Sequence, residues 1–312
     1  MTAAAILSVA TWRLPVLTAL AMLAFAGNSL LTRAALQDTT IDAASFASIR
    51  LGAGALALGL ILRVRRAGGA GPAAARRDRL ATARRDLLAA AMLFAYCAAF
   101  SFAYRWLDAG TGALVLFGSV QVTMFVVGLR AGEHWPPLAW CGASLAVAGL
   151  AALVWPGVGA PHVGGAVLMG LAGLAWGVYS LRGRGVAQPL AATASNFVWS
   201  LPLAIGLSLL TLDQARWDPP GALLALVSGA ITSGLGYALW YAALPALGAL
   251  RGAVVQLSVP AIAALGGLLW LGEQPGLRLL GASVAILGGI GLALWARGRP
   301  ATSSPSSTTS SR

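Results

Sequence analysis

Charged residues are scarce in this chain. Asp, Glu, Lys and Arg make up only 10% of its 312 residues, whereas 58% are hydrophobic and the mean hydropathy is +0.80. A soluble domain of this length could not bury so much apolar surface, but a lipid bilayer solvates it. The composition therefore excludes a soluble globular protein and predicts an integral membrane protein.

Residues that commonly carry catalysis or bind metals are also few. The two cysteines, Cys97 and Cys141, fall in separate predicted helices without CxxC spacing, and the two histidines, His134 and His162, fall in predicted loops. No HExxH, GxSxG or P-loop motif is present. We therefore expect no metal, no cofactor and no enzymatic activity, and we keep an integral-membrane enzyme acting through loop residues as a remote alternative.

Long apolar runs account for most of the chain. Each is about 18 residues or longer, enough for a helix to cross a hydrocarbon core of roughly 30 Å. The ten runs are 14–35, 43–62, 87–107, 110–129, 138–155, 164–182, 192–212, 221–243, 249–271 and 277–296. Backbone groups in lipid must be paired within the segment, so each run is predicted to be a helix. The fold class is all-α integral membrane with ten transmembrane helices.

Lysine is absent, so all 21 basic residues are arginines. Eight lie in the connection 63–86, and others follow the sixth and tenth predicted crossings. With the N-terminus inside, about 16 of the 21 arginines face the cytoplasm, as the positive-inside rule requires. This distribution predicts a multi-pass protein of the bacterial inner membrane with both termini cytoplasmic. A nucleic-acid surface would need basic residues interleaved with exposed aromatics on one face. These arginines instead cluster after membrane crossings, so no nucleic-acid partner is expected.

Two stretches about 140 residues apart are nearly the same. CGASLAVAGLAALVW (141–155) matches LGASVAILGGIGLALW (280–295), and the preceding loops carry AGE (131–133) and LGE (271–273). Two related halves can rock about a shared central site, as in many transporters. We expect four glycines of these stretches to form small-residue packing seams: Gly142, Gly149, Gly281 and Gly288.

Each half contains five predicted crossings, an odd number. The second copy therefore enters the membrane from the opposite side, which gives two inverted five-helix repeats. We expect the first repeat at 1–157, the second at 158–299 and a disordered cytoplasmic tail at 300–312, where Ser and Thr dominate. The Arg/Ala/Gly connection 63–86 is predicted to be the longest and most mobile loop.

Two segments carry a family resemblance. FAGNSLLTR (25–33) has an aromatic–small–small–Asn entry to helix 1, and SVPAIAALGGLLWLGE (258–273) is a Pro-containing ninth helix that ends in glutamate. With the repeats, they resemble the EamA-type drug/metabolite transporter superfamily, and most of all the YddG-type exporters of aromatic amino acids and other metabolites. The resemblance covers 14–296 and implies export by alternating access. In one departure Gln121 replaces the family's helix-4 proline, whereas Pro260 is expected to kink helix 9.

We expect the substrate site near the bilayer midplane, between the repeats. Counting about ten residues from each helix end places aromatic or uncharged polar side chains there, among them Ser119 and Ser233. Ten are candidate substrate-binding residues: Phe25, Asn28, Tyr96, Phe100, Gln121, Trp176, Tyr179, Tyr237, Gln256 and Ser258. Rings can stack on an apolar group and attract an ammonium, while amides and hydroxyls bind either end of a zwitterion. The set predicts a neutral or aromatic amino acid, or a similar small amphipathic metabolite. Packing between helices explains the rings equally well, whereas Asn28 and Gln256 favour binding.

All nine acidic residues fall in predicted loops or at helix ends. Ion-coupled carriers commonly keep an ionisable carboxylate within the membrane, so we expect uncoupled facilitated diffusion or exchange. Arg33 and Arg50 are expected near the outer face, placed to pair with Asp38 or Asp42 as a gate. A proton-coupled multidrug exporter is the alternative, and a nucleotide-sugar exporter would need midplane arginines, of which we expect none. The partners are then a small molecule and the bilayer, and the protein is expected to be a monomer.

Overall fold

The computed structural model describes residues 3–66, 72–133, 135–183, 186 and 188–298. Within this part the regular elements are all helical, as expected, and the predicted tail 300–312 lies outside it. The α-helices are α1 (Ala3–Asp38), α2 (Ala43–Arg66), α3 (Pro72–Ala103), α4 (Ala109–Arg130), α5 (Pro137–Val154), α6 (Val163–Arg182), α7 (Pro189–Leu210), α8 (Pro219–Val227), α9 (Gly236–Gln256), α10 (Ser258–Trp270) and α11 (Leu277–Arg297). A 3₁₀ turn, Leu212–Gln214, follows α7, and a π-helical segment, Ser228–Leu235, joins α8 to α9.

Ten apolar helical segments match the ten predicted crossings. Nine in the described part are long and apolar enough to span a bilayer, and the third crossing is the shorter segment Leu87–Ala103 at the end of α3. The eighth crossing is the longest, because α8, the π-helical segment and the first part of α9 form one span, Pro219–Leu247. The prediction of an all-α membrane protein is confirmed.

The connection between the second and third crossings is more helical than predicted. Helix α2 continues to Arg66 and α3 already begins at Pro72, so helices cover most of the expected loop 63–86. Alanine and arginine are among the best helix formers, and proline is favoured at the first position of a helix. Apolar periodicity marks only the part of a helix within lipid, so it could not detect this extension.

The ninth crossing is interrupted where Pro260 was expected to kink it. Helix α9 ends at Gln256 and α10 begins at Ser258, and Gln256 is the residue whose carbonyl a helical Pro260 cannot bond and would crowd. Helix α9 itself bends sharply before this point, because a Cβ on Gly252 would lie 3.3 Å from the Trp240 ring, a contact that a straight helix could not make.

Helices α5 and α11 form the closest seam of the bundle and run antiparallel. Gly142 lies against Gly289 and Ala293, while Gly149 lies against Ile286, so the partner number falls as the chain number rises. Helix α6 packs between α3 and α4, and α7 between α2 and α3, whereas α1 contacts both α9 and α10. The expected glycine seam is therefore correct for Gly142 and Gly149.

The expected glycine seam is wrong for Gly281 and Gly288, which face open space. The buried positions of α5 and α11 correspond at a spacing of 140 residues, with Gly149 equivalent to Gly289. The alignment of identical letters pairs residues that are 139 apart, for example Gly142 with Gly281. It therefore misplaces the buried face of α11 by one residue. The loops agree with the spacing of 140, because Gly132 and Gly272 both take positive φ, 76° and 66°.

Candidate functional site

A small cavity lies at the centre of the bundle, where five crossings meet. Its lining comes from α1, α3, α4, α6 and α9: Phe25, Asn28, Ser29, Tyr96, Phe100, Leu116, Phe117, Trp176 and Tyr237. The space open to water is about 20 Å³, room for roughly one water molecule. An amino acid needs a larger space, so the structure represents a closed state of this cavity.

Aromatic rings form one continuous wall of the cavity. Trp176 stacks on Tyr237 with ring centroids 5.3 Å apart and tilts against Tyr96 at 4.8 Å. The edge of Phe25 meets Tyr237 at 5.8 Å, and Phe100 lies 5.3 Å from Tyr96. The rings come from four separate helices, so this wall exists only in the folded bundle.

A buried amide faces the aromatic wall. Asn28 is 3% exposed, and its Oδ1 accepts hydrogen bonds from Ser228 at 3.0 Å and Ser233 at 3.3 Å, with Thr232 also in contact. All three hydroxyls belong to the eighth crossing, at or within the π-helical segment. A π-helix adds a residue to the turn and is frequent at functional sites. The segment thus aims three hydroxyls at one amide oxygen.

Six of the ten predicted site residues line the cavity: Phe25, Asn28, Tyr96, Phe100, Trp176 and Tyr237. Tyr179 lies just behind them, 5.3 Å from Trp176, and its hydroxyl donates to Thr193 at 3.4 Å. The other three lie outside the lining. Gln121 is buried within the continuous helix α4, Gln256 is half-buried, and Ser258 is exposed and donates to the Val255 carbonyl oxygen at 2.7 Å.

One buried charge beside the cavity was not expected. Arg50 is 0% exposed, although we placed it near the outer face and expected no arginine at the midplane. Its Nε donates to Ser233 Oγ at 3.2 Å and its Nη2 to the Tyr96 hydroxyl at 3.1 Å. The guanidinium carbon lies 4.9 Å from the Phe100 ring centre and 5.3 Å from that of Tyr96. A single arginine eight residues into an apolar helix is the signal that could have identified it.

An ion-pair cluster closes the end of the bundle that is predicted to face outward. Arg33 Nε lies 3.2 Å from Glu273 Oε1, and Arg33 Nη2 lies 3.3 Å from Asp108. Glu273 also accepts hydrogen bonds from the Ala109 N–H at 3.0 and 2.9 Å, which caps α4. We call Arg33, Asp108 and Glu273 the outer cluster. It ties α1 and the start of α4 to the end of α10.

The acids that we expected to pair with Arg33 and Arg50 do not. Among the described residues the ion pairs of Arg33 are with Asp108 and Glu273, while Asp42 accepts hydrogen bonds from the N–H groups of Ala44, Ser45 and Arg216. Burial raises the pKa of the Glu273 carboxyl above its ordinary value, and Asp108 adds to the rise, while the Ala109 N–H and Arg33 oppose it.

A second ion pair lies at the opposite end. Glu133, the repeat counterpart of Glu273, pairs with Arg297 at the end of α11, and that guanidinium lies 4.9 Å from the Trp135 ring centre. We call Glu133, Trp135 and Arg297 the inner cluster. Arg278 joins neither cluster: its guanidinium donates to carbonyl oxygens at the end of α5 and in the α5–α6 connection. The two glutamates therefore lie at opposite ends of the bundle, Glu273 in the outer cluster and Glu133 in the inner cluster.

The described part of the chain holds no cluster of three or more His, Cys, Asp or Glu that could bind a metal ion. Cys97 is buried and Cys141 is exposed, and both are free thiols. The polar groups at or beside the cavity are an amide, hydroxyls and a guanidinium, which can donate or accept hydrogen bonds.

Comparisons with known proteins identify the family and the fold. The EamA-like transporter family profile matches residues 163–295. An uncharacterized protein of Pseudomonas aeruginosa is 54% identical over 278 residues, which cover 89% of this chain and 93% of the relative. A protein crystal structure shares the fold with a TM-score of 0.62 at 18% identity, over 92% of this chain and 98% of that one.

Proposed function

Because the chain belongs to the EamA-like transporter family, a family of multi-pass membrane transporters, we propose that it exports amino acids by alternating access. Its substrates are neutral or aromatic amino acids, or similar small amphipathic metabolites. The observation that carries the proposal is the central cavity, where aromatic rings from four helices face one buried amide. No described feature indicates an enzyme.

Each wall of the cavity suits one part of such a substrate. The rings of Phe25, Tyr96, Phe100, Trp176 and Tyr237 offer stacking surfaces for an apolar side chain and cation–π contact for an ammonium. The amide of Asn28 orients a polar group, because its oxygen is already held by hydroxyls of the π-helical segment. Apolar pockets with a few placed polar groups are typical of small-molecule sites.

The ion-pair clusters at the two ends of the bundle support alternating access. The outer cluster and the inner cluster lie on opposite sides of the cavity, and both are formed in this closed state. Opening one end while the other stays closed would expose the cavity to one side at a time. The repeat-related glutamates Glu133 and Glu273 make the two ends equivalent parts of one mechanism.

Transport is proposed to be uncoupled, by facilitated diffusion or exchange. The described carboxylates lie outside the apolar membrane spans or at their ends, and Arg50 cannot release and rebind a proton because arginine stays protonated in proteins. In sealed proteoliposomes with equal substrate on both sides and a clamped voltage, neither a pH gradient nor a sodium gradient should drive accumulation. Accumulation under either gradient would favour the proton-coupled multidrug alternative or another ion-coupled exporter.

We propose the bacterial inner membrane as the location, with both termini in the cytoplasm. Ten crossings return the chain to the side on which it started, and arginines concentrate on that side. Cysteines introduced at residues 70 and 305 should both react with an impermeant reagent from the cytoplasmic side only. Reaction from opposite sides would contradict this topology.

The test of function is flux of a labelled amino-acid panel into liposomes that contain only this protein. We expect saturable flux of at least one neutral or aromatic amino acid. Asn28→Ala should lower it strongly without loss of folded protein, whereas Gln256→Ala, outside the closed cavity, should lower it less. Flux that never exceeds that of protein-free liposomes would refute the proposal, and equal flux in wild type and Asn28→Ala would refute the site.

A further inference from the structure

Arg50 carries a permanent positive charge inside the membrane-spanning bundle. It lies seven residues after the start of α2 at Ala43, about 10 Å along the helix axis at 1.5 Å per residue. It is fully buried, and none of the ion pairs among the described residues includes it. Charges at such a depth are costly and usually serve a function.

The guanidinium is only partly satisfied. Nε and Nη2 have hydroxyl partners, but Nη1 is buried with no hydrogen-bond partner. Buried polar groups in folded proteins are nearly always hydrogen-bonded, so this nitrogen, with its two N–H donors, requires an explanation. The aromatic rings of Tyr96 and Phe100 compensate part of the charge by cation–π contact, but they cannot accept these hydrogen bonds in the plane of the guanidinium.

Every partner of Arg50 leads to the cavity. Tyr96 and Phe100 are lining residues. Ser233 accepts from Arg50 and donates to Asn28, which makes a chain of hydrogen bonds from the guanidinium to the lining amide. In the closed state the guanidinium lies behind these side chains. For Nη1 to contact a substrate, these side chains must move aside as the cavity widens.

We propose that Arg50 is the anion subsite of the transport cavity and that the transported molecule must carry a carboxylate. The inference rests on the proposed transport function and names its substrate class. A carboxylate matches one guanidinium in charge and in its paired oxygen acceptors. The substrate's apolar part then faces the aromatic wall. Cations that lack a carboxylate are excluded, because they would meet the fixed charge of Arg50.

The experiment compares neutral amino acids with their own amides, which keep the size and the ammonium but lose the anionic group. Binding to purified protein is measured by ligand-induced thermal stabilisation, and flux is measured separately in liposomes. Wild type should bind the best acid at least about tenfold more tightly than its amide, the effect of one charge-assisted hydrogen bond. Arg50→Met should abolish that preference, and the matched control Arg130→Met, at an exposed arginine, should keep it.

The readout of selectivity separates a binding role from a structural one. If Arg50 only supports the fold, its replacement lowers acid and amide binding together and leaves their ratio unchanged. If Arg50→Met does not fold, Arg50→Lys, which keeps the charge, should retain the preference for the acid. A wild type that binds acid and amide equally, binds no acid of the panel, or keeps its preference in Arg50→Met would overturn the subsite. Arg50-dependent acid binding without any flux would instead refute the transport function alone.

Discussion

Replacing Gly142 by alanine would force apart α5 and α11, the helix pair with the most extensive contact in the described part of the bundle. A Cβ at Gly142 would lie 2.5 Å from the Gly289 carbonyl oxygen and 2.6 Å from the Ala293 nitrogen, both backbone atoms that cannot rotate away. To reach an ordinary contact of 3.4 Å, α5 and α11 must separate by about 1 Å at this point. Overpacking of this kind typically costs about 1–3 kcal/mol.

The matched control is Gly281→Ala, at the position that the letter match pairs with Gly142. Nothing lies within 4 Å of a Cβ there, so the alanine should stabilise α11 by roughly 0.5–1 kcal/mol through helix propensity alone. Thermal unfolding of both variants in one detergent measures the difference. We expect Gly142→Ala to melt below wild type and Gly281→Ala at or above it. Equal destabilisation of the two variants would refute the register of 140 and the antiparallel seam.

Three further outcomes are expected. Gly229→Ala should lower the melting temperature by the equivalent of about 1–3 kcal/mol, because its Cβ would collide with the Arg50 carbonyl oxygen. Gly206→Ala, at a glycine that faces open space, should not lower it. Equal effects of the two variants would contradict the packing of α2 on the π-helical segment. Since burial raises the pKa of Glu273, the folded state holds its proton more tightly than the unfolded state, so this group's contribution to stability falls as pH rises from the ordinary glutamate pKa through the raised one. As pH rises from about 4, the melting temperature should therefore fall less steeply in Glu273→Gln than in wild type, and a difference between the two that does not change with pH would contradict this. Arg297→Gln removes the partner of Glu133 and should raise labelling of Leu116→Cys from the cytoplasmic side; unchanged labelling would show that the inner cluster does not hold that end closed.

The ten crossings were predictable because lipid demands long apolar helices, and this signal is local. Six cavity-lining residues were also within reach, since counting from helix ends gives the depth of a side chain. The count gives no rotation about the helix axis, so it could not exclude Gln256 and Ser258, which lie outside the closed cavity. Rotation is set by packing against helices that are distant in the sequence.

The burial of Arg50 could not be predicted for the same reason, because it also depends on packing between distant helices. Its burial depends on Ser233, 183 residues further along the chain, and on Tyr96 in another helix. A hydropathy window averages one arginine into an apolar helix, so the predicted crossing 43–62 contains Arg50 without indicating that its charge is buried. The partners of Arg33, Glu133 and Glu273 were missed for a related reason, because each ion pair joins helices that only the folded bundle brings together.

The central claim is that the cavity is the transport path and opens to each side in turn. The most direct measurement is the reaction of Leu116→Cys, in a Cys97→Ser and Cys141→Ser background, with an impermeant thiol reagent added to one side of the membrane at a time. Leu116 lines the cavity and is 3% exposed in the closed state. We expect labelling from both sides, slowed from both by saturating substrate. Labelling from one side only, or labelling that substrate does not affect, would contradict the account.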